Sequence, residues 1–182
     1  MSSPKIIPYL SEEKIRSLNQ KLGQQISNDY GKKLEPGEEL FIVTTLKGAL
    51  FFAADLVREI TVPVHLDFVR VASYGSGTKT SGSVRILKDI ETSPEGKHVL
   101  ILDEIVDSGR TLQFLLNRIQ AHQPKSVKIC SLLSKPSRRE VEVDVSYLGE
   151  EVQDKFLIGY GLDYAEKYRN LRYVGYFETP PQ

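Results

Sequence analysis

Apolar residues recur along this chain with two different periods. Between Ser11 and Gly31 they fall at Ile15, Leu18, Leu22 and Ile26, which is one face of a helix. Ser11 followed by Glu12 and Glu13 supplies an N-cap and first-turn acids, and Gly31 supplies a stop. Residues 40–45 instead make a short, almost wholly apolar run of strand length, followed by Leu46, Lys47 and Gly48 in a loop. Residues 49–60 read as a helix that is apolar on most sides and therefore largely buried. Residues 64–72 are strand-like, 73–83 are rich in Gly, Ser and Thr, and 83–88 form a short strand. Residues 97–103 are a buried-type strand that stops at two acids, Asp103 and Glu104. Residues 111–121 follow as a helix and 127–133 as a further buried strand. From about Val145 the pattern changes to short strands and aromatic turns.

Strands alternating with helices predict an α/β fold with a mainly parallel sheet and right-handed crossovers. One domain spans residues 1–182, with a core at about 36–144 and a small hood from about 1–10 and 145–182. In such sheets ligands bind outside the carboxyl ends of the strands. Lys47, Ser73, Asp103 and Lys135 all stand at or just after predicted strand ends, so they can meet on one rim.

Composition narrows the class. The chain is 40% hydrophobic and 26% charged, with acids and bases balanced at 24 each and a formal net charge of zero. That balance speaks against nucleic-acid binding driven by bulk charge. No stretch approaches the length of a membrane span, and the segment MSSPKIIPYLSEEK lacks the apolar centre of a signal peptide. The single cysteine, Cys130, fits a reducing cytoplasm and, in a central strand, a buried inert thiol. His65, His98 and His122 show no metal-ligand spacing.

The chemistry concentrates in residues 99–111, VLILDEIVDSGRT. An apolar strand meets Asp103 and Glu104; Asp107 follows, and Ser108, Gly109, Arg110 and Thr111 open a helix. Loop amides at a helix N-terminus hold phosphate, Gly109 permits close approach, and Ser108 and Thr111 add hydroxyl donors. The acids suit sugar hydroxyls or a hard cation such as magnesium. A site that wants both wants a phosphorylated sugar with a metal. The plain alternative is a strand ending in a solvated acidic turn, with Asp107 as a helix cap.

This window resembles the phosphoribosyl-pyrophosphate signature of the type I phosphoribosyltransferases: an apolar strand, two acids, two apolar residues, then an acid, Ser or Thr, Gly and a closing Thr. The resemblance implies that family's fold, a mainly parallel twisted sheet flanked by helices, with a hood from the two terminal segments. It implies that Asp107, Ser108, Gly109, Arg110 and Thr111 hold the 5-phosphate. Asp103 and Glu104 would meet the ribose hydroxyls directly or through Mg2+, and Asp107 would manage the N7 proton of a purine. Relatives that use 6-oxopurines often carry the acid pair as Glu then Asp; here the order is reversed.

Three further segments extend the resemblance. Leu46, Lys47 and Gly48 are similar to the loop of hypoxanthine-guanine phosphoribosyltransferases that contacts pyrophosphate, whose Leu–Lys peptide can be cis. Residues 73–82, beginning Ser73-Tyr74, resemble the mobile catalytic loop; Ser73 would donate to pyrophosphate and Tyr74 would cover the substrates. The run GSGTKT within that loop is no nucleotide-binding P-loop, because it lacks the required Gly-Lys pair. Residues 154–164, DKFLIGYGLDY, resemble the purine clamp. There Phe156 would stack on the base, the backbone at Leu157 would read its polar edge, and Asp163 would hold a second Mg2+ with pyrophosphate. Lys135 would donate to the 6-oxo group, and Arg169 would reach the pyrophosphate oxygens. Without the resemblance, Lys47 would be a solvated loop lysine, residues 73–82 a hairpin tip, and Phe156 a core aromatic.

Together these motifs imply a purine-salvage enzyme. It would transfer the 5-phosphoribosyl group from phosphoribosyl pyrophosphate to N9 of hypoxanthine and guanine, giving IMP or GMP and pyrophosphate. Mg2+ is the expected cofactor, and a cytoplasmic homodimer or homotetramer the expected assembly. The ammonium of Lys135 is a donor only, so the 6-amino group of adenine would leave it unpaired. Two rivals stand beside this reading. One is a phosphoribosyltransferase for xanthine or another base. The other is a regulatory nucleic-acid-binding protein on the same fold, against which the balanced charge and intact purine clamp argue.

Overall fold

The computed structural model describes residues 4–74 and 83–179. Helix α1 runs Glu12–Tyr30; the Ser11 hydroxyl accepts the Lys14 N–H at 3.2 Å, and the Gly31 N–H closes the far end on the Ser27 carbonyl. Six strands form the main sheet. They are β2 Leu40–Leu46, β3 Val64–Tyr74, β4 Ser83–Lys88, β5 His98–Val106, β6 Ser126–Ser134 and β7 Tyr147–Glu151, in the spatial order β4-β3-β2-β5-β6-β7. All neighbours pair in parallel except β3 and β4, which are antiparallel. Helices α2 Leu50–Glu59 and α3 Arg110–Gln120 are the crossovers that follow β2 and β5.

The unbroken apolar runs have a simple cause. Both faces of β2 and β5 are covered, so residues pointing either way are buried. Leu40, Ile42, Leu100 and Leu102 pack with Leu22, Phe52 and Leu56 of α1 and α2. Phe41, Val43, Val99 and Ile101 pack on the opposite face with Leu112, Leu115 and Ile119 of α3. Cys130 is buried in β6, where desolvation raises its thiol pKa far beyond the usual range.

Three expectations need correction. The signature strand does not stop at the acids: β5 continues through Asp103 and Glu104 to Val106, because β6 keeps pairing with it as far as Val106 and Ser134. Helix α2 is not largely buried. It rests on α1 and the sheet along one stripe of Phe52, Ala53 and Leu56, while Leu50 and Phe51 are 44% and 39% exposed. The hood begins later than residue 145, since β7 adds to the main sheet beside β6. A separate three-stranded antiparallel sheet joins β1 Ile6–Leu10 to β9 Val174–Phe177 and β8 Leu157–Ile158. Among the described residues no helix is long and apolar enough to cross a membrane.

The outer hairpin is fastened by one buried acid. Asp67 of β3 accepts the backbone N–H groups of Phe68, Glu91 and Thr92 at 2.7, 2.7 and 3.1 Å. Burial alone would raise its pKa. The three amide donors, with Lys88 nearby, outweigh that and hold it below the ordinary aspartate value. A depressed folded-state pKa gives stability that is present above the unfolded value and is lost as pH falls through the folded one. Asp67→Ala is therefore expected to destabilise the fold by about 1–3 kcal/mol near neutrality, since three amides lose their acceptor. Denaturant titrations should show that deficit shrinking as the pH is lowered below the carboxylate range.

Candidate active site

The carboxyl ends of β2, β5 and β6 open on one side of the sheet, and the residues that follow them build the site upward from there. After β5 the chain turns through Asp107 and Ser108 to Gly109, which caps α3 with φ +85°. A Cβ on Gly109 would lie 2.2 Å from the Val141 carbonyl oxygen, so both the conformation and the space demand glycine. The Ser108 hydroxyl accepts the Arg110 N–H at 3.4 Å, and the first amides of α3 face the loop with no partner in their own helix. The loop is braced from behind. Amides of Glu140 and Val141 both donate to the Ser108 carbonyl at 3.0 Å. The Arg139 guanidinium donates to the Asp107 carbonyl at 2.6 Å and to the Ser134 hydroxyl at 2.7 Å. Arg110 itself pairs with Glu140 at 2.5 Å rather than turning to the loop.

The acid pair sits at the strand end beneath this loop. Asp103 is buried and accepts the Thr45 hydroxyl at 2.5 Å. Burial, and then the charge of Asp103, push the Glu104 carboxyl well above the usual range; burial likewise raises Asp103. A carboxyl pair so placed favours a proton or a cation between its members.

On the other flank, Lys47 follows β2 through a cis Leu46–Lys47 peptide bond. Its ammonium lies 2.6 Å from Glu166 Oε2. Arg169 reaches Asp163 at 2.9 Å, Glu166 Oε1 at 3.2 Å and the Gly161 carbonyl at 2.8 Å. Hydrogen bonding to Lys47 is the first cause that holds the Glu166 carboxyl below its ordinary value. The two loops touch directly, since a Cβ on Gly161, at φ +100°, would fall 1.8 Å from the Gly48 carbonyl oxygen.

A cavity of about 440 Å3 joins these parts; Lys47, Asp103, Glu104, Thr111, Asp163 and Arg169 line it, with Asp107 at its edge loop. Lys135 follows β6 beside it. Its N–H donates to the Val106 carbonyl at 2.8 Å, and its buried ammonium lies 3.9 Å from Asp154. Arg138 stands between Asp154, at 3.9 Å, and the Asp107 carboxylate, at 3.5 Å. Phe156 is 60% exposed and meets Tyr164 edge to face, so much of its ring is accessible. Leu157 is buried in β8 and pairs with Tyr176. Ser73 and Tyr74 end β3, but their side chains and residues 75–82, the expected catalytic loop, lie outside the described residues.

The structure thus brings the signature loop, the acid pair, Lys47, Asp163 and Arg169 to one cavity and sets Lys135 and Phe156 on its flank. Four participants had not been anticipated: Thr45, Arg138, Arg139 and Glu166. Thr45 is a polar residue inside an apolar strand, which is a readable sign of a buried hydroxyl bond. Nothing in the sequence tells which way Arg138, Arg139 or Glu166 turn.

The phosphoribosyl transferase domain model matches residues 9–165, and the chain belongs to that family. Within it, the chain is 44% identical over 167 residues to a hypoxanthine-guanine phosphoribosyltransferase of Mycobacterium avium, covering 91% of this chain and 82% of the relative. A hypoxanthine phosphoribosyltransferase of Staphylococcus aureus has the same fold with a TM-score of 0.88 at 39% identity, over 94% of this chain and 91% of that one. The Trypanosoma cruzi hypoxanthine phosphoribosyltransferase, solved with its product IMP, gives a TM-score of 0.87 at 37% identity, over 97% and 96% of the two chains.

Gly109→Ala tests the cradle. The left-handed backbone would cost about 1–3 kcal/mol with a Cβ present, and the clash would displace the loop from Val141. The expected result is a lower melting temperature and a loss of about tenfold or more in affinity for phosphoribosyl pyrophosphate, measured by calorimetry. Unchanged affinity would show that the loop does not hold the ligand.

Proposed function

We propose that this chain transfers the 5-phosphoribosyl group of phosphoribosyl pyrophosphate to N9 of hypoxanthine and guanine, releasing pyrophosphate and forming IMP and GMP for purine salvage. The observation that carries this is the meeting, in one cavity, of a phosphate loop, an acid pair and two cations, with a buried donor and an open aromatic ring beside it. That set matches the parts of the substrates one by one.

The amides of residues 107–111 and the hydroxyls of Ser108 and Thr111 hold the 5-phosphate. Lys47 and Arg169 neutralise pyrophosphate as it leaves, which is where most charge develops. C1 of the ribose passes through an oxocarbenium-like state with weak bonds to both groups, so positioning matters more than covalent chemistry. Asp107, on the braced loop, accepts the N7 proton of the purine as the N9–C1 bond forms and passes it on to solvent before the next turnover. Lys135 donates to the 6-oxo group, Phe156 stacks on the ring, and backbone groups at Leu157 read the polar edge. Ser73 donates to pyrophosphate and Tyr74 covers the substrates.

The donor set suits Mg2+. Among the described residues no group of three or more His, Cys, Asp or Glu could hold a metal alone. Mg2+ characteristically takes one or two carboxylates and completes its shell with water and substrate phosphates. Asp103 and Glu104 would hold one ion near the ribose, and Asp163 a second near pyrophosphate; when bound, the metal supplies neutralisation of phosphate charge. The exposed Leu50 and Phe51 of α2 support assembly of identical subunits, the state expected from the family resemblance.

Turnover with hypoxanthine, guanine, xanthine, adenine and uracil, each with phosphoribosyl pyrophosphate and Mg2+, tests the base assignment. Hypoxanthine and guanine should turn over readily and adenine hardly at all, because adenine leaves the buried Lys135 ammonium without an acceptor. Faster turnover of adenine or uracil would overturn it.

Asp107→Asn should lower kcat roughly a hundredfold to ten-thousandfold. Affinity for phosphoribosyl pyrophosphate should persist, since the amide keeps the size of the group and the loop backbone. Near-normal turnover in this variant would reduce Asp107 to a structural member of the turn.

A further inference from the structure

Glu166 occupies an unusual position. Its two carboxylate oxygens reach two different cations, Lys47 at 2.6 Å and Arg169 at 3.2 Å. Lys47 is 119 residues away in sequence, so local helical or turn geometry does not explain that pair. Nor does Arg169 need it, because Asp163 already pairs with Arg169 at 2.9 Å. Glu166 is also delivered by an atypical turn. Tyr164 and Lys167 exchange two backbone hydrogen bonds, at 3.1 and 3.0 Å, around the central pair Ala165-Glu166. Those two residues have φ +50° and +64°, values that such tight turns normally give to Asn-Gly or Asp-Gly. A backbone cost borne by non-glycine residues, at a tip that ends in two ion pairs, points to a role for the side chain it presents.

We propose that Glu166 is a built-in counter-anion of the pyrophosphate subsite: its carboxylate takes the place of a phosphoryl group between Lys47 and Arg169, and pyrophosphate must displace it. This rests on the assignment of Lys47 and Arg169 to pyrophosphate. In the structure the four groups Lys47, Arg169, Asp163 and Glu166 balance in charge, so neither cation stands bare. When pyrophosphate arrives, Glu166 becomes a like charge beside it and swings toward solvent. Once its two ion pairs are broken it can do so, since its side chain is 63% exposed and its remaining bond among the described residues is made by its backbone N–H, to Asp163 Oδ2 at 2.8 Å. The competition weakens pyrophosphate binding and so speeds its release. Other small anions meet the same competitor.

The test is pyrophosphate binding by isothermal calorimetry, in the presence of Mg2+, with the wild-type protein and the variants Glu166→Gln, Glu166→Ala, Lys47→Ala and Lys47→Ala/Glu166→Gln. Both single Glu166 variants should bind pyrophosphate about threefold to thirtyfold more tightly, the range expected from removing one or two exposed ion-pair competitors. Pyrophosphate should also dissociate more slowly from them. The gain from Glu166→Gln should shrink when Lys47 is already absent. A supporting scaffold role would move affinity the other way, so equal or weaker binding by both Glu166 variants overturns the proposal. Failure of the underlying assignment has a separate signature: the wild-type protein would not bind pyrophosphate, or Lys47→Ala would bind it as well as wild type. Either of those results removes the proposal along with the subsite.

Discussion

The rim of this molecule depends on how far β5 runs. A strand enclosed by β2 on one side and β6 on the other carries whatever side chains it holds into a partly desolvated place. Here the strand continues for four positions past its unbroken apolar run, through Asp103, Glu104, Ile105 and Val106. Two carboxyl groups are thereby fixed where water cannot freely reach them, and burial lifts both pKa values. The Glu104 side chain, the Thr45 hydroxyl and the Glu104 backbone N–H ease that penalty for Asp103, and the same N–H and the charge of Arg169 ease it for Glu104. A site with this imbalance is prepared for a cation or for ribose hydroxyls before any ligand arrives.

The same strand sets the spacing of everything downstream. Its last residue, Val106, is bonded through its carbonyl to the Lys135 N–H, so the end of β5 and the first residue after β6 are locked side by side. The segment that begins at Lys135 then doubles back along the phosphate loop. Arg139 donates to Asp107, and the amides of Glu140 and Val141 converge on Ser108. One short connection therefore ties the proposed base donor to the proposed phosphate cradle. The ties are mostly backbone, with the Arg139 guanidinium added, so on the proposed assignment they would hold the distance between purine and 5-phosphate.

Much of this was legible along the chain, for reasons that differ by element. Helix α1 announced itself through Ser11, its apolar stripe and Gly31, all local signals. The strands β2, β5 and β6 were visible because both faces of a parallel sheet need apolar residues. The signature loop was visible because a left-handed turn against a carbonyl admits only Gly109. What stayed hidden depends on tertiary partners. The acids looked like the end of a strand because polarity rises there, yet ladder bonds to β6 carry the strand on. Residues 147–151 looked like part of the hood, because edge strands are half exposed and lack a continuous apolar run. Leu50 and Phe51 read as buried, although among the described residues α2 leaves both of them exposed. The partners chosen by Arg139 and Glu166 are long-range, and no local pattern encodes them.

The basic side chains around the cavity share one habit. Lys47 and Arg169 rest on Glu166 and Asp163, Arg110 rests on Glu140, and Arg138 lies near both Asp107 and Asp154. A chain with no net charge thus keeps these four cations of the site beside carboxylates, while Arg139 turns to the Asp107 carbonyl and the Ser134 hydroxyl. In a partly enclosed cavity an unpaired cation would bind any passing anion tightly, because screening there is weak. Paired cations respond instead to a ligand that can satisfy several of them together. Phosphoribosyl pyrophosphate carries phosphate at both ends and can engage the cradle of residues 107–111 and the Lys47–Arg169 pair in the same event, whereas a single phosphate reaches one or the other. On the proposed assignment of these two anion sites, selectivity for a substrate with phosphate at both ends would follow from their separation along the rim, a separation that the β5 and β2 strand ends impose.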